Sequence, residues 1–314
     1  MSAQVTISGT FKSVPPGSEV AITCYNNPIE RDELAVANAK LDEHGSFSVT
    51  FPWGKPGEAQ LQVVDQYTQL FLSPGDSLHL RCDYAHFDST LQYTGRGAAE
   101  NNYMAADVLA AYGNKASQGT AAFDDAGKCT AFVDSLEQLN GEMLRTRENA
   151  HWSEAFRRYI TTTTRYRFVY PRWMFLITYD QGKQAFVRRE VPAAYYDFLK
   201  RLDIHDQQAA DNDEYNGALS YYVSELYDGN MKFADSLADA QKQEMWIIGA
   251  YTNRRTLFQG KLRDFQLTKF IEGQLGQYGD HTALIDSLIT DYKASCTTPE
   301  YVAIIDKIHA AAVR

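Results

Sequence analysis

The residues best suited to binding chemistry lie in one stretch, from Arg157 to Trp173. Arg157, Arg158, Tyr159, Arg165, Tyr166, Arg167, Tyr170, Arg172 and Trp173 follow one another with no acidic residue before Asp180. In a chain of net charge −10 this is a local reversal of sign. A guanidinium holds a carboxylate through two parallel hydrogen bonds and stacks on aromatic rings. The stretch therefore reads as a groove for an anionic group, a peptide or a partner domain. The competing reading is a packed helix pair whose arginine heads reach water or pair with distant acids. A second aromatic series, Tyr195, Tyr196, Phe198, Tyr215, Tyr221, Tyr222 and Tyr227, has the spacing of interhelical packing.

Other chemistry finds little support. There is no G-x-S-x-G nucleophile turn, and Gly95-Arg96-Gly97 lacks the Lys-Ser/Thr of a phosphate loop. It reads as a junction. The seven histidines, His44, His79, His86, His151, His205, His281 and His309, form no H-E-x-x-H pair. Asp206, Asp211, Asp213 and Glu214 lack calcium-loop spacing and read as a solvated loop. Cys24, Cys82, Cys129 and Cys296 include no C-x-x-C pair. Cys24 and Cys82 both fall on the apolar phase of strand-like segments. They form a disulfide if their Cα atoms lie within about 7 Å, and otherwise are two buried small hydrophobes. No motif calls for a metal or cofactor.

The elements that carry these residues change character near residue 95. Before it, apolar residues alternate: Val5, Ile7 and Phe11; Val20, Ile22 and Cys24; Phe47, Val49 and Phe51; Leu78, Leu80 and Cys82. A period of two places each set on one face of a strand. Leu61–Val64 and Tyr67–Leu72 read as a hairpin turning at Asp65-Gln66, and Gly9 as a bulge. Turns at Pro15-Pro16-Gly17, His44-Gly45 and Pro74-Gly75-Asp76 complete a sandwich pattern. Beyond Gly97 the pattern is helical. Asp124 or Asp125 caps a helix whose apolar stripe is Phe132, Leu136, Leu139 and Met143. Further helices are expected over 152–177, interrupted at Pro171, over 192–202, 214–227 and 243–258, and from near Lys261, His281 and Pro299. The expectation is an α+β chain of two domains, an N-terminal antiparallel β-sandwich over 1–95 and an all-α helical domain over 98–314.

Charge excludes one broad class. The chain is acidic on both sides of the junction, −6 up to Gly95 and −4 beyond. Such a surface repels phosphate backbones, so no nucleic-acid partner is expected. No apolar run approaches the roughly 20 residues of a membrane span. The N-terminus has neither the basic nor the apolar part of a signal peptide.

Several short motifs, taken in order, carry a family resemblance. They are Leu41-Asp42-Glu43-His44-Gly45-Ser46-Phe47, Leu72-Ser73-Pro74-Gly75-Asp76-Ser77-Leu78, and Thr94-Gly95-Arg96-Gly97 followed by Glu100-Asn101-Asn102-Tyr103. Gly260-Lys261-Leu262-Arg263-Asp264 and Thr298-Pro299-Glu300-Tyr301 close the series. Together they resemble the N-terminal region of TlpA-type thiol-disulfide oxidoreductases of Bacteroidetes-like bacteria. The resemblance implies an exported, periplasmic location and a thioredoxin-like domain with a W-C-x-x-C site that follows. That domain would begin at Arg314, and none of the four cysteines here matches its pair. The implied role is a non-catalytic cell-envelope module. It binds a protein or peptide, or docks a thioredoxin-like domain, as an accessory to thiol-disulfide exchange. The alternative is a stand-alone envelope protein that binds a peptide or glycan.

Overall fold

The computed structural model describes residues 3–15, 17–113, 119–120, 123–148, 151–180, 182–277 and 282–312. Pro16, His281 and Gly279 lie outside them. An N-terminal β region precedes a helical region, giving the α+β class. By packing, the chain forms two compact units. One comprises 1–122 and 130–164, the other 123–129 and 165–314. The change of secondary structure at 95–98 is therefore not where packing divides the chain.

Among the described residues, the first unit contains eight strands: β1 (Gln4–Lys12), β2 (Glu19–Tyr25), β3 (Glu33–Lys40), β4 (Ser46–Pro52), β5 (Gly57–Val63), β6 (Gln66–Leu72), β7 (Ser77–Asp83) and β8 (Gln92–Arg96). They make two four-stranded sheets, ordered β4-β1-β7-β8 and β3-β2-β5-β6. The alternating residues meet between the sheets: Val5, Ile7, Val20, Ile22, Val49, Phe51, Leu61, Leu78 and Leu80 share one core. One pairing departs from the antiparallel expectation. β7 returns beside β1 in the same direction, with Ile7 opposite Leu78. Gly9 pairs regularly and makes no bulge. It lies where a Cβ would meet Leu80 Cγ at 2.5 Å. The β5–β6 turn is at Val64-Asp65, one residue earlier than expected.

The register break falls instead in β3, where Val36 is skipped between Ala37, opposite Ile22, and Ala35, opposite Thr23. The two cysteines do not pair. Thr23 is 9% exposed and Cys24 is half-buried. Cys82 stays in the core, with Sγ 3.5 Å from Phe87 O. Both cysteines are free.

A short helix, α1 (Phe87–Thr90), precedes β8, and α2 (Ala98–Gly113) follows it. Asn101 and Asn102 fasten α2 to the sandwich. The Asn101 amide donates to Phe71 O at 2.9 Å and accepts from Phe71 N at 3.0 Å, on edge strand β6. The Asn102 amide does the same to Tyr93 on edge strand β8, at 2.9 and 2.8 Å. Each side chain satisfies backbone groups that an edge strand otherwise leaves open. Two further helices extend the unit, most of α3 (Ala126–Arg147) and of α4 (Glu154–Tyr166). Phe71, Tyr103, Met104, Trp152, Phe156 and Ile160 form a second core here. That core binds these helices to the sheets and moves the packing boundary away from residue 95. Asp125 caps α3 through Lys128 N at 2.8 Å, as expected. Leu139 of the expected stripe faces solvent, 49% exposed, and Val133 is buried instead.

Gly95 and Gly97 explain the junction. Their φ angles are +96° and +89°, conformations that L side chains rarely adopt. A Cβ at Gly95 would lie 2.1 Å from Ser77 O, and one at Gly97 would lie 2.7 Å from Asp76 Oδ2. Asp76 is itself 6% exposed and accepts from Ser73 N at 2.7 Å. Burial pushes its pKa up to about 6, with Glu100 adding to the rise and the Ser73 and Arg96 contacts opposing it.

A folded-state pKa above the unfolded one makes protonation favour folding. Stability from Asp76 is then full below about pH 4 and falls between about pH 4 and 6. Asp76→Asn keeps the acceptor and removes the charge. It is expected to raise stability near pH 7 by about 2–3 kcal/mol and to flatten that slope. Urea unfolding at pH 4.5 and pH 7.5, followed by circular dichroism, measures both. Unchanged stability at pH 7.5 would contradict the assignment.

The second unit contains α5 (Val169–Phe175), a hairpin of β9 (Ile177–Asp180) and β10 (Ala185–Arg188), and α6 (Asp197–Lys200). It continues with α7 (Asp213–Leu226), α8 (Asp239–Leu257), α9 (Gly260–Gln277), α10 (Thr282–Ser295) and α11 (Pro299–Ala312). The hairpin was not expected, so this part is helical but not wholly so. Pro171 does break the long helix: it stands in the first turn of α5, where no backbone donor is needed. α9 serves two cores. Leu262 packs with Tyr215, Leu219 and Val223, whereas Leu267 and Ile271 pack with Ile247, Ile289 and Ile305. No helix among the described residues is long and apolar enough to cross a membrane.

Candidate functional site

The expected arginine segment divides between the two units. In the first, Arg157 pairs with Glu148, and Arg158 is exposed. Tyr159 donates to Glu58 and packs on Phe71 with ring centroids 5.1 Å apart. In the second, Arg165 is exposed beside Tyr166, its guanidinium 6.0 Å from the ring centroid. Tyr166 is buried against Tyr215 at 4.7 Å, and Arg167 is half-buried. Arg172 turns inward and donates to Phe168 O at 3.1 Å. Packing and internal pairing thus account for much of the segment.

Tyr170 and Trp173 behave differently. They lie on α5 and meet Tyr221 of α7. Trp173 and Tyr221 stack at 4.4 Å with planes 22° apart. Tyr170 lies 6.3 Å from Trp173 at 27° and 6.0 Å from Tyr221 at 35°. Tyr170 is 48% exposed, and the other two are half-buried. Of the second aromatic series, Tyr195 and Tyr215 are buried as packing residues. Tyr222 and Tyr227 meet through their hydroxyls at 3.4 Å. Tyr221 instead completes a face of near-parallel rings.

A buried carboxylate holds this face. Glu225 lies one helical turn beyond Tyr221, and its side chain is 2% exposed. It accepts from Trp173 Nε1 at 2.8 Å and from both terminal nitrogens of Arg188 on β10. Arg188 also donates to Tyr196 Oη at 3.0 Å. These bonds fix the Trp173 indole and engage both oxygens of the carboxylate. The rotamer of Trp173 is thereby set before any ligand arrives. Burial pushes the Tyr221 hydroxyl up to about 12, with smaller contributions from Tyr170 and Glu214, so it is a neutral donor at ordinary pH. The face can stack flat rings and offer phenolic hydroxyls. It carries no activated nucleophile and no unengaged carboxylate. No group of His, Cys, Asp or Glu able to hold a metal ion occurs among the described residues.

Sequence reasoning found Tyr170 and Trp173 but assigned Tyr221 to packing, and it missed Glu225 and Arg188. The ion pair joins residues 37 apart in sequence, which no local pattern marks. The chain matches no protein-family model and no curated protein.

Proposed function

We propose that this chain is a non-catalytic binding module of the cell envelope, whose Tyr170–Trp173–Tyr221 face receives a protein or peptide partner. The observation that carries the reading is a partly exposed aromatic cluster held in place by the Glu225–Arg188 pair. Tyr and Trp offer large, rigid contact area at low entropic cost, so they dominate binding hot spots. The envelope location and an accessory role in thiol-disulfide exchange rest on the family resemblance. On that basis a thioredoxin-like domain is the first partner to test.

The test is titration of the full chain with a recombinant thioredoxin-like domain and with a random-peptide library, read by calorimetry. Tyr170→Ala and Tyr221→Ala are expected to weaken a selected partner by about tenfold or more, as truncation of a hot-spot aromatic does. The circular dichroism spectrum should remain that of the native chain. Selected partners whose affinity ignores both substitutions would place binding elsewhere and refute the assignment.

A further inference from the structure

The geometry points to a proline-rich segment in the polyproline II conformation as the ligand of the α5–α7 aromatic face. The inference rests on the peptide-binding reading above and names the kind of peptide. Three features carry it. The first is ring orientation. Tyr170, Trp173 and Tyr221 stand with planes 22° to 35° apart, so they form ridges of one direction. Pro-rich segments dock on such aromatic-lined surfaces because their rings are apolar and their polyproline II backbone is already ordered.

The second is the supply of hydrogen bonds. A polyproline II backbone makes no internal bonds, so its carbonyls need donors from the receptor. The Trp173 indole N–H is committed to Glu225. The Tyr170 and Tyr221 hydroxyls have no hydrogen-bond partner among the described residues. The face therefore offers donors to carbonyl acceptors. A saccharide would need side chains that converge on its paired hydroxyls, and the carboxylate beneath the face, Glu225, is already engaged by Trp173 and Arg188.

The third is Gly217, one turn before Tyr221 in the interior of α7. Glycine is the costliest non-proline residue in a helix interior. A Cβ there would touch only Tyr221 Cε2, at 3.9 Å. No neighbour requires the glycine, and its effect is to leave the flank of the Tyr221 ring open, as a notch for one ligand ring.

The experiment is calorimetric titration of the full chain with decaproline, an alternating Gly-Ser decapeptide and a cello-oligosaccharide. Decaproline is expected to bind and the other two are not. Tyr170→Phe with Tyr221→Phe removes only the hydroxyls and is expected to weaken decaproline about tenfold. Gly217→Leu introduces a good helix former and should block the notch, with a similar loss. Native circular dichroism of each variant excludes unfolding as the cause. The inference falls if decaproline does not bind, if the saccharide binds at this face, or if both variants bind decaproline as the parent does. Library peptides that lack proline but need Tyr170 and Tyr221 would also overturn it, while leaving the broader peptide-binding reading intact. Failure of every peptide to depend on those two residues would remove both.

Discussion

Asn101→Ala is expected to destabilise the first unit by about 3–5 kcal/mol, the combined cost of orphaning several buried polar groups. The side chain is fully buried. It makes three hydrogen bonds, two to Phe71 and one to Gly97 O at 2.8 Å. Alanine leaves Phe71 N–H and C=O facing the α2–β6 contact with no partner and no route to water. Asn102 provides the internal comparison. It makes the same pair of bonds to Tyr93 but is exposed, so water can replace it. Asn102→Ala should therefore cost only about 1 kcal/mol. Urea unfolding of both variants measures the difference. Equal losses would mean that burial does not decide the cost, and that the fastening of edge strands has been misassigned.

This pair also shows what was legible in the sequence. Alternation in the β region depends on side chains one and two positions apart, so the faces of β1, β4 and β7 could be read directly. Val5, Ile7, Val49, Phe51, Leu78 and Leu80 are all buried as the pattern required. The reading failed where geometry departs from period. β3 carries an extra residue, Val36, opposite the Ile22–Thr23 step, and nothing in its local sequence marks it. β3 is a mostly exposed edge strand, so its residues carry no apolar alternation. The hairpin of β9 and β10 has only four residues in each strand, too few for a periodic signal.

The candidate site was half legible for a related reason. Tyr170 and Trp173 stand out because arginines and aromatics crowd together in one segment. Tyr221 looks like its neighbours on α7. Its different role comes from the rotation of that helix, which buries Ala218, Leu219 and Val223 and leaves Gly217, Tyr221 and Ser224 outward. The resemblance motifs were clearer as structure than as function. Gly95, Gly97, Asn101 and Asn102 belong to one of them, and Asp76 to another. Each proves to be a junction that needs those residue types for backbone geometry or backbone hydrogen bonding.

The last two motifs meet in the same way, and they carry the other large effect. Asp264 on α9 is fully buried and joins the residues that lead into α11. Its Oδ2 accepts from Thr297 N at 2.8 Å, Thr297 Oγ1 at 2.7 Å and Thr298 Oγ1 at 2.9 Å. Its Oδ1 accepts from Arg263 Nε at 3.1 Å and from a terminal nitrogen at 2.8 Å. Burial alone would push this carboxyl up, but the Thr297, Arg263 and Thr298 bonds outweigh it and hold the pKa below its ordinary value. Asp264→Ala is expected to cost about 3–5 kcal/mol, because it leaves those buried donors and a partly buried guanidinium without their acceptor. Asp264→Asn should fail nearly as badly. Both oxygens face donors, so the amide NH₂ meets a donor in either orientation. The pH dependence has the opposite sign to that of Asp76. A depressed folded pKa gives stability that is full above the unfolded value of about 3.9 and is lost as pH falls through the lower folded value. Acid should therefore loosen α11 from α9 while it strengthens the Asp76 junction. Amide hydrogen exchange at pH 3 and pH 5, corrected for intrinsic rates, separates the two. Loss of protection in 299–312 on acidification supports the Asp264 clasp, and equal protection at both pH values would rule it out.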